Sequence, residues 1–286
     1  MIEDQELLDK TIKRSLEEDI GPGDITTDAV IALSATGKAV LETREDIVLA
    51  GLPVFMRTFT LIDPDISFET FYEDGQEVSA GNVICNISGS MSAILKAERT
   101  ALNFIQRMSG IATLTREYVL MASSEKVKIL DTRKTVPGLR FLDKYSVTMG
   151  GGQNHRFGLY DAVLIKDNHI AAAGSITNAV KSVKDRTPVE IKVEVEVENL
   201  DDVREAIDAG ADSVLLDNMT SDEMKKAVEF IKGRVLVEAS GRINLDNVRE
   251  IAETGVDFIS IGALTHSVKA VDLSLEVKHE LGLKES

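Results

Sequence analysis

Several ways of building a protein are closed to this sequence. Cys85 is its one cysteine, so neither an intrachain disulfide nor a thiolate-rich metal centre can form. Its 4 histidines include no HExxH-type pair, which argues against structural zinc. No apolar run approaches the ~20 residues needed to span a bilayer. The opening segment, MIEDQELLDKTIKRSLEEDIGPGD, is acidic and amphipathic and lacks the apolar core of a signal peptide. Positive charge is scarce: 32 Lys and Arg stand against 48 Asp and Glu, a formal net charge of −16. That balance argues against nonspecific binding to nucleic acid or to anionic membranes. It leaves open a small anionic ligand, because a local basic pocket can outweigh a distant acidic surface. The expected compartment is the cytoplasm.

What remains is an ordinary globular profile, 43% apolar and 28% charged over 286 residues, long enough for one large or two smaller domains. Leu7, Leu8, Ile12 and Leu16 predict an amphipathic helix over 4–18. From Gly37 to Gly89, short β-type runs (KAVLETREDIVLAG, ISFETFY, GNVICNISG) alternate with turns, with a helix over 51–62 between them. A long helical stretch over 91–122 follows, with a break expected at Ser109-Gly110. This part reads as a small α+β domain.

Past residue 125 the rhythm changes. VKILD ends at Asp131 before Thr132-Arg133-Lys134. AVLI ends at Lys166-Asp167-Asn168. VEIKVEVE carries Glu194 and Glu196. SVLL precedes Asp217-Asn218, VLVE precedes Ala239-Ser240-Gly241, and DFISI precedes Gly262. The βα spacing predicts a parallel α/β fold. Two near-copied helical patterns, NLDDVREAIDAG and NLDNVREIAETG, and polar residues at nearly every strand end favour a barrel over a doubly wound sheet. Six strands are visible, so the barrel is expected to be incomplete. The domains are placed at 1–110, joined by 272–286, and at 111–271.

The strand ends suggest a chemistry. Arg133, Lys134, His155, Arg156 and Lys166 suit carboxylates and phosphates, and Arg grips either in a fork. Glu196 and Asp217 suit Mg²⁺ shared with a pyrophosphate. Ser240, Gly241 and Gly262 free backbone N–H groups for phosphate oxygens. Blander readings stand beside these. Arg133 and Lys134 could lie on a loop surface, and Glu196 and Glu198 on a strand's wet face. Asp217-Asn218 could cap a helix, and His169 could cap or pack.

The stretches ERTALNFIQRMSGIAT, DTRKTVPGLRFLDKYSV, GGGQNHRFGLYDAVLIKDNHI, VEVEVENLDD, VLLDN and FISIGALTHS, with EDIGPGDITT near the start, resemble the quinolinate phosphoribosyltransferase family, also called nicotinate-nucleotide pyrophosphorylase (carboxylating). The resemblance implies an incomplete TIM-like α/β barrel with a smaller N-terminal α+β sandwich-like domain. It implies conversion of quinolinate and phosphoribosyl pyrophosphate to nicotinate mononucleotide, CO₂ and pyrophosphate with Mg²⁺, in NAD biosynthesis. It implies a homodimer with composite sites. On this resemblance Arg133, His155, Arg156 and Lys166 hold the dicarboxylate, joined by Arg99 from the neighbouring subunit. Lys134 serves the pyrophosphate side. Glu196 and Asp217 serve the ribose and metal, and Ser240, Gly241 and Gly262 hold the 5′-phosphate. Lys134, Lys166, Glu196 and Asp217 form the catalytic set. In VEASGRI, Arg242 replaces an expected small residue. The alternatives are a related phosphoribosyltransferase-like protein associated with molybdenum transport, a Schiff-base barrel aldolase using Lys166, and a barrel that binds an anion without turnover.

Overall fold

The computed structural model describes residues 4–278. They form two compact units. The first takes the described residues up to Leu114, Val136–Gly151, and those from Val268 on; the second takes Thr115–Thr135 and Gly152–Ser267. These divisions fall at other positions than 110/111 and 271/272, and the first unit includes a segment the sequence division left in the barrel. The reason is chemical. In that segment the carboxylate of Asp143, 1% exposed, accepts Nε and Nη2 of Arg107 at 3.1 and 2.9 Å and the N–H of Val136 at 3.1 Å. Leu142 of the same segment packs into an apolar cluster with Leu8, Ile12 and Leu16. Residues 279–286, assigned to the first domain from the sequence, lie outside the described residues.

The first unit opens with helix Gln5–Ile20, whose first turn is capped by the Asp4 side chain on the Leu7 N–H at 2.9 Å. Its Leu8, Ile12 and Leu16, four apart, form the buried stripe. An antiparallel sheet follows in the order Leu273–Lys278, Thr36–Thr43, Val83–Ser90, Ser67–Thr70. The pairs Ala39–Val277 and Leu41–Leu275 set one register. Cys85 is buried there, and burial pushes its thiol up to about 12, so it is a small apolar residue at neutral pH.

Helix Leu52–Thr60 starts at Gly51, which offers no side chain to cap it. Asp74 does so from a distance, accepting the N–H groups of Gly51 and Leu52 at 2.8 and 2.9 Å and the Tyr145 hydroxyl at 2.7 Å. Burial raises the Asp74 carboxyl above its ordinary range in spite of these donors. Asp74→Ala removes a cap and takes away the partner of the half-buried Tyr145 hydroxyl, so it should cost about 2–4 kcal/mol, read as a lower midpoint in denaturant unfolding. Tyr145→Phe should cost less.

The break expected at Ser109-Gly110 is absent: Met91–Ala122 is one helix. Ser109 is buried and exchanges hydrogen bonds with the Ala50 backbone, accepting its N–H at 3.0 Å and donating to its carbonyl at 3.1 Å. Gly110 is there for clearance, since an added Cβ would overlap the carbonyl oxygen of Lys269. Sequence punctuation here marks close packing, not a helix end.

The second unit holds six parallel strands in the order Lys128–Leu130, Phe258–Ser260, Leu236–Ser240, Ser213–Asp217, Val193–Val197, Val163–Ile165. The first strand in sequence lies beside the last, as in a barrel, and the sheet stays open between the first and second, as expected of an incomplete one. Along Val193–Val197 the three valines are buried and the two glutamates alternate with them. The near-copied helical patterns differ in outcome. Asn199 caps Leu200–Asp208 directly, through Asp201 and Asp202 N–H groups at 3.0 Å. The second pattern enters through a turn held by Asn244, and its helix is Val248–Ala252. No helix among the described residues is long and apolar enough to cross a membrane.

Candidate active site

The C-terminal ends of the six strands surround one cavity of about 720 Å³. Every site residue drawn from the sequence lines it except Arg99: Arg133, Lys134, His155, Arg156, Lys166, Glu196, Asp217, Ser240, Gly241 and Gly262. Arg99 is exposed on helix Met91–Ala122, in the first unit. Among the lining residues that the sequence reading missed are the polar Glu238, Ser260 and His266. An acid within the apolar run VLVEAS was the available signal for the first.

His155 and Arg156 arrive on a segment stitched to the open edge of the sheet. Gln153 bridges Leu130, donating its N–H to Ile129 at 2.8 Å while its carbonyl accepts the Asp131 N–H at 3.1 Å. The fully buried Asp131 then accepts the His155 N–H at 2.9 Å. In the ring, Nδ1 accepts the Arg156 N–H at 2.7 Å, which leaves the proton on Nε2. Nε2 lies 3.3 Å from Glu194 and 3.5 Å from Glu238. Both ring nitrogens face protein groups. The ring therefore braces the backbone of Arg156, where the sequence suggested a counter-charge.

The Arg156 guanidinium donates to the Ala162 carbonyl at 3.0 Å. Burial, then the like charge of Arg133, hold it below its ordinary value. Two crowded guanidinium groups in a half-buried wall fit an anion with more than one carboxylate. Lys166 is ion-paired with Glu196. The side chains of Glu194 and Glu196 are 13% and 14% exposed, so the wet-face reading fails for Glu196, while Glu198 is exposed as that reading has it. Asp217 accepts the Asn218 amide at 2.6 Å, and the following helix Ser221–Ile231 is capped by Thr220 with Glu223. The capping alternative for Asp217-Asn218 therefore falls away. His169 accepts the Lys166 N–H at 2.9 Å, a local capping role.

The loop after Leu236–Ser240 is tight. Gly241 has φ +94, and an added Cβ would overlap the Asn218 side chain and stand 2.8 Å from its backbone nitrogen. Arg242, exposed on the cavity rim, sits at φ +53, a left-handed conformation that costs a residue with a Cβ about 1–2 kcal/mol. The loop thus keeps the backbone path of a small residue while carrying a guanidinium.

His155, Glu194 and Glu238 are the described residues that bring three potential metal-binding atoms within 4.8 Å of one another. The ring excludes that use, since Nε2 bears the proton and has no lone pair to give. Glu196 and Asp217, acceptor-only oxygen donors on neighbouring strands of the cavity wall, fit a hard divalent cation better.

The sequence matches the family described as quinolinate phosphoribosyl transferase, N-terminal domain, over residues 24–109, and its C-terminal domain over residues 111–276. It is 43% identical over 274 residues to a probable nicotinate-nucleotide pyrophosphorylase [carboxylating] of Synechocystis, covering 95% of this chain and 92% of that one. A protein of the same description from Bacillus subtilis is 43% identical over 270 residues, covering 94% and 93%. The solved structure of the nicotinate-nucleotide pyrophosphorylase from Francisella tularensis superposes with a TM-score of 0.92 at 45% identity, covering 96% of this chain and 97% of that one.

Proposed function

This chain belongs to the quinolinate phosphoribosyltransferase family, and from that premise we propose that it transfers phosphoribosyl from phosphoribosyl pyrophosphate to quinolinate with decarboxylation, a step of NAD biosynthesis. The observation that carries the reading onto these residues is the single cavity in which Arg133, Arg156 and Lys166 face Glu196, Asp217 and the Ser240-Gly241 loop. The pyridine nitrogen attacks C1 of the ribose as pyrophosphate leaves, through an oxocarbenium-like transition state. No protein nucleophile is needed; fixed charges position the nitrogen and offset the leaving group. Arg133 and Arg156 hold the two carboxylates. His155 fixes Arg156. Lys134 meets the pyrophosphate, and Ser240, Gly241 and Gly262 meet the 5′-phosphate through backbone N–H groups. Lys166, tied to Glu196, links the acceptor and ribose sides. The Glu196 carboxylate beside Lys166 also gives it a polar setting, where a Schiff-base lysine needs an apolar, desolvated one.

Mg²⁺ is part of the proposal: held by Glu196 and Asp217, it would supply positive charge against the pyrophosphate. Turnover should stop in EDTA with metal-free substrates and return with added Mg²⁺. So is the homodimer, in which Arg99 reaches the partner's cavity; its proposed compartment is the cytoplasm. Mixing inactive Arg99→Ala and Lys166→Ala subunits under exchange should restore about a quarter of wild-type activity per total site, because one site of each mixed two-fold dimer carries neither defect. The function itself is tested by incubation with quinolinate, phosphoribosyl pyrophosphate and Mg²⁺. Nicotinate mononucleotide, CO₂ and pyrophosphate should appear in equal amounts, and their absence would overturn it.

A further inference from the structure

We propose that Glu238 is the proton donor that puts hydrogen in place of the departing carboxyl group. The inference rests on the quinolinate reading above. When the bond from ring C2 to the carboxyl breaks, CO₂ leaves and the electron pair stays on C2, beside the cationic ring nitrogen. C2 must take a proton as that bond breaks, so proton delivery and loss of CO₂ share one transition state. Phosphoribosyl transfer does not supply one, because the attacking nitrogen carries none and pyrophosphate leaves as an anion. The protein or water has to provide it.

Glu238 has the placement of such a donor. It lies in the strand Leu236–Ser240, lines the cavity, and is 3% exposed. The groups that face it come from each neighbouring element. Glu194 approaches from Val193–Val197, His155 from the edge segment with Nε2 at 3.5 Å, Ser260 from Phe258–Ser260, and Lys166 from the end of Val163–Ile165. On Ser213–Asp217 the residue in register with it is the apolar Leu215. Glu194 and Glu238 thus both lie against His155 Nε2, at 3.3 and 3.5 Å. Two carboxylates this close, one of them buried, repel strongly when both are charged, so the buried one keeps a proton. Burial, then the charge of Glu194, raise Glu238 to about 7.

The two oxygens of Glu238 divide the work. Ser260 Oγ and His155 Nε2 both approach Oε1, which leaves Oε2 to carry the proton. After transfer, the carboxylate finds these donors already in place, and water restores the proton as product leaves. A neutral acid is also the form that a cavity for a dianion tolerates. Lys166 is the other acid nearby, but its ammonium is ion-paired with Glu196.

The experiment compares CO₂ with pyrophosphate in single turnovers of wild type and Glu238→Gln, an isosteric amide without a transferable acid proton. Wild type should release the two in equal amounts. In Glu238→Gln the rate of CO₂ release should fall about 100-fold relative to pyrophosphate release, the scale of a lost general acid, and quinolinate mononucleotide should accumulate. In wild type the same ratio of rates should fall as pH rises through 7, because the protonated form is the donor; the variant should lack that pH dependence. Equal release in the variant would overturn the inference and leave water or Lys166 as the source. A parallel loss of both products would also overturn it, since Glu238 would then serve the first step. Neither product from wild type would instead overturn the quinolinate reading.

Discussion

Nicotinate offered in place of quinolinate should be used with kcat/KM lower by about 10⁴-fold, the discrimination reached when a site built for a polar group meets an analogue lacking it. The cause lies in Arg133 and Arg156. Burial, then the like charge of Arg133, already hold Arg156 below its ordinary value, and two anionic groups of one ligand would offset both guanidinium groups at once. An acceptor with one carboxylate brings a single anionic group to a wall that carries two desolvated guanidinium groups, which costs far more than the contact it loses. Steady-state assays with both acceptors at fixed phosphoribosyl pyrophosphate read the ratio directly. Comparable kcat/KM values would mean that the two arginines do not converge on one ligand.

Arg156→Ala should lower kcat/KM for quinolinate by about 2–5 kcal/mol in transition-state terms, roughly 30- to 5000-fold, the range for truncating one partner of a buried charge pair. The side chain is fixed by the Ala162 carbonyl, and its main chain by His155 and by Asp161, whose carboxylate takes the N–H groups of Phe157 and Gly158 at 2.6 and 2.9 Å. The truncated site therefore keeps its backbone and loses its charge. Stability should change little, because removing Arg156 also removes its repulsion with Arg133. Paired kinetics and thermal unfolding check both halves. Near-normal turnover would dissociate Arg156 from the acceptor.

The barrel was legible because its strands end in chemistry: each apolar run stops at a polar residue that the fold brings to the same rim. The site was legible for the same reason. Its bracing was not. Asp131 looked like the end of VKILD, Glu194 like one tooth of VEVEVE, and Glu238 like the close of VLVE; only the curvature of the sheet aims the latter two at one imidazole. His155 was legible as a site residue but not as a brace, since the direction of its ring nitrogens is set by the Arg156 backbone. Glycine misled at Gly110, where the constraint is the carbonyl of Lys269, some 160 residues later in the sequence. Arg242 shows the converse, a residue with a side chain in a conformation that sequence reasoning reserves for glycine.

The pairing of Thr36–Thr43 with Leu273–Lys278 bears on how the molecule comes into being. Arg44 meets Glu276 across 232 positions of sequence, so an edge of the first sheet waits for a strand synthesised after the whole barrel. During translation the barrel strands are complete while Ala39 and Leu41 still lack Val277 and Leu275. Contacts of such long range slow folding and leave a strand edge open meanwhile. A nascent chain halted before Leu273 is therefore the species in which a chaperone, or aggregation, has its opportunity.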